Sequence, residues 1–104
     1  MAVNLIYITC ENRAEAERIG RALVEERLAA CVNIFDGMHA IYRWEGKIVQ
    51  DAETVLIAKT GEERVAALTE RVKALHSADC PCVVALPVTG GNDAFIKWVD
   101  GEAQ

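Results

Sequence analysis

The chain has 104 residues, of which 52% are hydrophobic and 26% are charged, and its formal net charge at pH 7 is -5. A chain of this length fits a single folded domain, residues 1–104, with a hydrophobic core of its own. The acidic balance argues against a nucleic-acid-binding protein, because phosphate backbones need a basic surface and the 11 lysines and arginines are scattered along the chain.

The first residues indicate a strand rather than a targeting segment. The segment 1–8 is short, has no basic residues at its start and leads directly into a strand pattern, so no secretory signal is expected. No apolar run approaches the roughly 18 residues of a membrane helix. We therefore expect a cytoplasmic protein that does not insert into membranes. Its four cysteines are expected to be thiols rather than disulfides.

A buried strand and an amphipathic helix are predicted first in chain order. Residues 3–9 form a compact apolar run typical of a buried strand. Asn12 stands three residues before Glu15, and this imperfect capping box opens a helix. The apolar face of that helix consists of Ala16, Ile19, Leu23 and Ala30.

The next two predicted strands form an unusually long hairpin. They are Cys31–Trp44, bent near Asp36-Gly37, and residues 47–59, joined by a tight turn at Glu45-Gly46. Typical strands run about five to six residues. The free edges of such a hairpin would be a liability without a partner. The hairpin therefore predicts an assembly in which subunits cover each other's edges.

The second half of the chain predicts a helix, a short strand and a final helix. Thr60 and Glu63 form a capping box in front of an amphipathic helix. Residues 82–86 are a short apolar strand, and Asn92 or Asp93 can cap the last helix.

The order of these elements predicts an α+β fold. Strand, helix, strand, strand, helix, strand is the ferredoxin-like βαββαβ pattern, with two helices on one face of an antiparallel sheet and an extra C-terminal helix here. The opposite face needs a cover, which the last helix and neighbouring subunits can provide. Tyr42, Trp44 and Trp98 are amphipathic residues of the kind enriched at interfaces, although packing within one subunit would explain them equally well.

Cys80-Pro81-Cys82 is the most distinctive local feature. A C-x-C pair supplies two soft thiolates, which suit Cu(I) and other thiophilic ions, and His76 or Cys10 could add a third ligand. The alternative is that Cys82 begins a buried strand and Cys80 is a loop thiol. His76 ends the second predicted helix, where the helix dipole favours a histidine without any metal.

The remaining polar and thiol side chains have plainer explanations. Cys31 is expected to be a buried core thiol, and His39 to be structural or exposed. Glu53 and Lys59 are expected in inter-strand or inter-subunit ion pairs, or as solvated charges. No acidic pair has a spacing that specifies acid–base catalysis, and no phosphate-binding glycine motif is present. The sequence therefore predicts a protein that is not an enzyme.

Several segments, in order over nearly the whole chain, resemble the CutA family of divalent-cation tolerance proteins. They are Leu28-Ala29-Ala30-Cys31-Val32-Asn33, Tyr42-Arg43-Trp44-Glu45-Gly46-Lys47-Ile48, Glu53, Lys59-Thr60, His76, Ala85-Leu86-Pro87-Val88, Gly91 and Trp98. The resemblance implies a ferredoxin-like fold in a tight homotrimer whose hairpins interlock three sheets, similar in architecture to the nitrogen-regulatory PII proteins. It also implies divalent-cation tolerance, a response to metal ions and copper binding.

The resemblance bears on the candidate ligands. His76 matches a family position, whereas copper-binding members have a cysteine where this chain has Ile8; Cys10 follows two residues later, on the same face of the strand. The family's cleft Tyr and Glu are replaced by Ala78 and Cys82. The metal site predicted from the residues and the resemblance together is Cys10, His76, Cys80 and Cys82. The expected ion is copper or another divalent cation.

Other functions compete with this one. The main alternative is a PII-like regulatory trimer that binds a small ligand or a partner protein in the cleft between subunits. An acylphosphatase shares the fold, and Arg13 lies near the corresponding turn, but the phosphate-cradling loop is absent. An RNA-recognition domain of the same element order would need paired aromatic residues on its central strands and a positive net charge. This sequence has neither, so that function is rejected.

Overall fold

The structure is a computed structural model that describes residues 2–104. Its strands are β1 (Val3–Cys10), β2 (Cys31–Trp44), β3 (Lys47–Gly61) and β4 (Val83–Pro87). Its helices are α1 (Arg13–Glu25), α2 (Val65–Leu75) and α3 (Asp93–Glu102), with a 3-10 turn at Glu62–Arg64 before α2. The strands lie in the order β2-β3-β1-β4, and all neighbours are antiparallel. The predicted ferredoxin-like α+β fold is confirmed.

The main core lies between one face of the sheet and the helices α1 and α2. Alternate residues of β1, namely Ile6, Ile8 and Cys10, point into it and are at most 1% exposed. Ile19 of α1 and Leu68 of α2 pack in the same cluster. Fully burying an aliphatic side chain of this size contributes about 1.5–3 kcal/mol, so this face dominates the stability of the folded chain.

The opposite face of the sheet is only partly covered. Val99 and Ala103 of α3 pack against Val3 and Ala30 in a second, smaller cluster. The rest of this face carries large apolar side chains that remain about half exposed, and we call it the open face: Phe35 at 53%, Val84 at 50% and Leu86 at 49%. None of the helices within residues 2–104 is long and apolar enough to cross a membrane.

The β2–β3 hairpin has the predicted bend and turn, and β3 runs to Gly61, two residues beyond its predicted end at Lys59. A bulge between Phe35 and Met38 shifts the register, with Gly37 at a φ of 75°. Glu45 and Gly46 both have positive φ, 49° and 79°, as a two-residue type I′ turn requires. Because β1 pairs with β3 only as far as Thr54, the outer part of the hairpin projects beyond the rest of the sheet.

The end of α1 differs from the prediction. The helix stops at Glu25, so Ala30 does not lie on its apolar face but in the second cluster under α3. Arg27 takes the left-handed conformation, with a φ of 59°, and the next two backbone N–H groups donate to the carbonyl of Leu23. This is a helix C-cap of the kind that glycine usually provides. The sequence has no glycine there to mark it.

The prediction that Thr60 caps α2 is wrong. Thr60 lies in β3, is fully buried, and its hydroxyl donates to the carbonyl oxygen of Leu28 at 2.7 Å. Among residues 2–104, no side chain forms a capping hydrogen bond at the start of α2 or of the 3-10 turn before it. The predicted caps of the other helices are confirmed, because Asn12 accepts from the N–H of Glu15 and Asn92 accepts from the N–H of Ala94.

Candidate functional site at the base of the hairpin

An open cleft of about 1170 Å³ lies between the projecting part of the hairpin and the loop that joins α2 to β4. The end of β1 forms its floor, and Met38 and His39 belong to the hairpin wall. It exists because β2 and β3 extend further than β1. All four predicted metal ligands line it: Cys10, His76, Cys80 and Cys82. The structure thus brings these residues to one cleft, but it divides them between a buried floor and an exposed rim.

The floor is a cluster of three polar side chains from three different elements. Cys10 is the last residue of β1, Glu15 lies in the first turn of α1, and His76 caps the end of α2. Their potential ligand atoms all lie within 4.8 Å of one another. The side chains of Glu15 and His76 are each only 5% exposed. Sequence reasoning identifies Glu15 as a capping residue but misses it as a member of the site.

Glu15 ties the α2–β4 loop to the start of α1. One carboxylate oxygen accepts the N–H of Glu11 at 2.8 Å, and the other accepts the N–H of Ser77 at 2.8 Å. Burial alone would raise the pKa of Glu15, but these hydrogen bonds favour the charged form and hold the pKa below its ordinary value. Glu15 is therefore an ionised carboxylate whose two oxygens are already engaged.

Both ring nitrogens of His76 are also engaged. Nδ1 accepts the N–H of Ala78 at 3.0 Å. The neutral ring then carries its proton on Nε2, which donates to the carbonyl oxygen of Thr9 at 2.7 Å. A metal ion at either nitrogen would have to displace one of these bonds.

Cys10 is held as a neutral thiol in this arrangement. Burial, together with the nearby carboxylate of Glu15, raises the pKa of the Cys10 thiol to about 12. Metal ions bind the thiolate, which this environment disfavours. The three side chains lie near enough to one another to hold one ion. Such an ion would have to take the proton of the Cys10 thiol and displace hydrogen bonds that Glu15 and His76 now make.

Cys80 and Cys82 lie on the rim of the cleft and are both exposed. β4 begins at Val83, one residue later than predicted, so the interpretation of Cys82 as the start of a buried strand is wrong. Cys82 is nevertheless held in place, because its carbonyl oxygen accepts the N–H of Thr9 at 3.4 Å. Cys31, expected in the core, is only half-buried and pairs with Lys59 on β3.

Polar side chains of the hairpin bond mainly to each other. His39 is exposed, as expected, and its Nε2 lies 3.0 Å from the side-chain oxygen of Gln50 on the facing strand. The hydroxyl of Tyr42 donates to Asp51, and this bond raises the pKa of Tyr42. These pairs hold the two strands in register along the cleft wall.

Neither Glu53 nor Lys59 forms an ion pair within residues 2–104, so the expected inter-strand pairs are absent, and pairs between subunits stay a prediction. Lys59 instead donates to the side chain of Asn33, and its ammonium lies 5.9 Å from the ring centre of Phe95. Lys59 therefore links the hairpin to α3, on the side of the sheet away from the main core.

Comparison with known proteins gives a consistent result. Residues 4–102 match the family model described as CutA1 divalent ion tolerance protein. The divalent-cation tolerance protein CutA of Thermus thermophilus is 47% identical over 95 residues, which are 91% of this chain and 92% of that protein. The chloroplastic protein CutA of Arabidopsis thaliana is 44% identical over 91% of this chain. The chain spans about half the length of the plant relatives it matches, 52% of the Arabidopsis protein and 54% of a rice one.

Solved structures agree in fold over nearly the whole chain. The divalent cation tolerance protein of Thermus thermophilus superposes with a TM-score of 0.96 at 44% identity, covering 98% of this chain and 99% of that one. The periplasmic divalent cation tolerance protein CutA of Archaeoglobus fulgidus gives a TM-score of 0.95 at 43% identity, with the same coverage. With its fold, its hairpin and nearly all of its length matched, the chain belongs to the CutA1 divalent ion tolerance family.

Proposed function

We propose that the protein acts in divalent-cation tolerance as a homotrimer, with metal ions, copper among them, bound in the cleft at the base of the hairpin. The observation that carries this proposal is the cleft itself, which gathers every side chain predicted as a metal ligand: Cys10, His76, Cys80 and Cys82. We propose that the protein binds metal ions rather than catalysing a reaction, and that it acts in the cytoplasm.

The trimeric state is supported by the surface of the subunit. The open face presents Phe35, Val84 and Leu86, and the projecting hairpin adds the half-exposed Trp44. Apolar patches of this kind mark interaction surfaces. A threefold ring of identical contacts would cover the open face and the hairpin edges without leaving a free end.

Native mass spectrometry of the reduced protein, titrated separately with Cu(I) and Zn(II), tests the proposal. We expect the mass of three subunits and retention of copper in up to three equal steps. A monomer at micromolar concentration would contradict the trimer. A trimer that retains neither ion would contradict the metal function while leaving the assembly intact.

A PII-like regulatory trimer is the second candidate. The cleft, at about 1170 Å³, is slightly larger than most small-molecule sites, which span roughly 300–1,000 Å³, and Tyr42 and Trp44 contribute aromatic surface to it. A thermal-shift screen with nucleotides and small organic acids tests this function. A ligand at 100 times its Kd should stabilise the protein by about 2.7 kcal/mol. A uniformly unchanged melting temperature across the screen would count against it.

A further inference from the structure

We propose that the bulge at Asp36-Gly37 is a hinge, and that Asp36 latches this hinge to α1, so that the first turn of α1 sets the width of the cleft. We call residues 38–53, the part of the hairpin beyond the bulge, the arm. The arm forms one wall of the cleft, and the α2–β4 loop forms the other. The inference deepens the proposed function and rests on it, since the width matters only if the cleft receives a ligand.

The bulge lies where the sheet loses a strand. Asp36 and Gly37 together face Thr54, because β2 has one residue more than β3 at this point. Thr54 also pairs with Cys10, the last residue of β1. Beyond this point, within residues 2–104, the arm is a hairpin of two strands, and such a hairpin has little stability of its own. The sheet therefore resists bending least at the bulge.

Gly37 gives the hinge room to turn. Its φ of 75° is a conformation that glycine adopts without strain. Apart from its two neighbours in the chain, no heavy atom of residues 2–104 lies within 4 Å of a Cβ built at this position. Hinges are a few residues that absorb large changes in φ and ψ. Packing around Gly37, among the described residues, does not oppose such a change.

The Asp36 side chain supplies the restraint that packing does not. One carboxylate oxygen accepts a hydrogen bond from Nη1 of Arg13 at 2.7 Å, and the other accepts one from the hydroxyl of Thr54 at 3.2 Å. Arg13 is the first residue of α1, and Thr54 is buried in β3. A change of the bulge backbone that reorients Asp36 must break these bonds. They therefore latch the hinge to a helix and to the facing strand at once.

The same turn of α1 holds the opposite wall of the cleft. Glu15, two residues after Arg13, accepts the N–H of Ser77 at 2.8 Å and so fastens the start of the α2–β4 loop. The helix itself is fixed by Ile19 and Leu23, which are fully buried in the main core. Arg13 thus holds the arm and Glu15 holds the loop from one rigid base. Removing the Arg13 bond should free the arm and leave the loop in place.

Fluorine NMR of the full-length protein, labelled with fluorotryptophan and free of metal, tests the latch. Trp44 lies at the tip of the arm, and Trp98 on α3 serves as an internal reference. Arg13→Gln and Asp36→Asn should each raise the exchange broadening of the Trp44 signal by about 2- to 5-fold, the change in open population that the loss of one exposed ion pair allows. The Trp98 signal should stay unchanged. Both replaced side chains are at least half exposed, so the fold should survive.

Arg21→Gln is the matched control, because it makes the same substitution in the same helix and breaks a pair with Glu25 that lies within α1. Its Trp44 signal should match that of the wild type. Unchanged Trp44 broadening in both latch variants, or equal broadening in the control, would overturn the inference. Equal broadening of Trp98 would indicate a general loosening and would also overturn it. Broadening confined to Trp44, in a protein that retains no metal ion in native mass spectra, would support the latch and contradict the metal function.

Discussion

Glu15 shows how one buried charge can serve several elements. Its backbone N–H is capped by Asn12, while its carboxylate accepts bonds from Glu11 before α1 and from Ser77 after α2. A carboxylate taken out of water is costly unless it is hydrogen-bonded, and these N–H groups meet that requirement. The same residue therefore helps to begin a helix and fastens the loop beside the cleft.

Replacing Glu15 by glutamine should destabilise the protein in a pH-dependent way. At pH 7 we expect a loss of about 1–3 kcal/mol, because bonds to a charged acceptor become bonds to a neutral one or are lost. The folded-state pKa is depressed, so the stabilisation is complete above the ordinary glutamate pKa of about 4.3 and is lost as the pH falls through the lower folded value. Denaturant unfolding at fixed subunit concentration from pH 7 to pH 3 measures it.

Glu17 supplies the matched control for this experiment. It lies two residues further along α1, its side chain is exposed, and within the described range 2–104 it pairs only with Arg13. Glu17→Gln should change stability by less than about 0.5 kcal/mol at any of these pH values. A Glu15→Gln protein whose deficit is constant down to pH 3 would contradict the assigned role of the charge.

The cysteines should differ sharply in reactivity. At pH 8, iodoacetamide should modify Cys80 and Cys82 readily, whereas Cys10 should remain unmodified because it is buried and its pKa is raised to about 12. Peptide mass spectrometry after timed quenching follows each site. Denatured protein, in which all four thiols react, is the control. Equal modification rates for Cys10 and Cys80 in the folded protein would contradict the burial of Cys10 and would show that the floor of the cleft opens to solvent.

At the scale of elements, the hairpin turn combines a favourable residue with an unfavourable one. Gly46 has a φ of 79°, which costs glycine nothing, but Glu45 has a φ of 49°, in a region that side chains other than asparagine and aspartate rarely adopt. Type I′ turns prefer Asn-Gly for this reason. Glu45 therefore destabilises the turn relative to an asparagine at the same position.

Glu45→Asn should stabilise the protein by about 0.5–1 kcal/mol, since asparagine tolerates the left-handed conformation. The melting temperature at fixed subunit concentration should rise. Gly46→Ala is the matched opposite. Apart from the two neighbours in the chain, no heavy atom of residues 2–104 lies within 4 Å of an added Cβ, so the expected cost of about 1 kcal/mol comes from φ alone. A lower melting temperature for Glu45→Asn would mean that the Glu45 side chain has a partner in the assembly.

At the scale of the whole molecule, the open face is the feature that a single subunit does not explain. Two helices cover one side of the sheet, whereas the other side has only α3 and its small cluster. The projecting hairpin lengthens the molecule to 44 Å against 25 and 22 Å in the other directions. Such a shape leaves apolar surface in contact with water in the single chain, and apolar patches of this kind mark interaction surfaces.

Val84→Glu should weaken the proposed trimer. A carboxylate placed in an apolar interface without a partner costs several kcal/mol, so light scattering after gel filtration should show dissociation at micromolar concentration. The subunit fold should survive, because Val84 is half exposed within one subunit. Val24→Glu, at an exposed position of α1, is the control and should leave assembly unchanged. An intact Val84→Glu trimer would place the interface elsewhere.

The sequence by itself determined the features that depend on neighbouring residues. The order of strands and helices, the caps at Asn12 and Asn92, the bend at Gly37 and the turn at Gly46 were all predicted, because each follows from local periodicity or from a residue suited to one conformation. The family resemblance was likewise confirmed, since it rests on segments spread along the chain.

Only the tertiary structure decided the features that join distant residues. Thr60 carries a capping signal, yet it bonds to Leu28, 32 residues away, because the sheet buries it there. The site divides into a closed floor and an open rim because His76 meets Thr9 across 67 residues while the two rim thiols stay exposed. Local preferences are worth about 1 kcal/mol or less per residue, and buried long-range contacts outweigh them wherever the two compete.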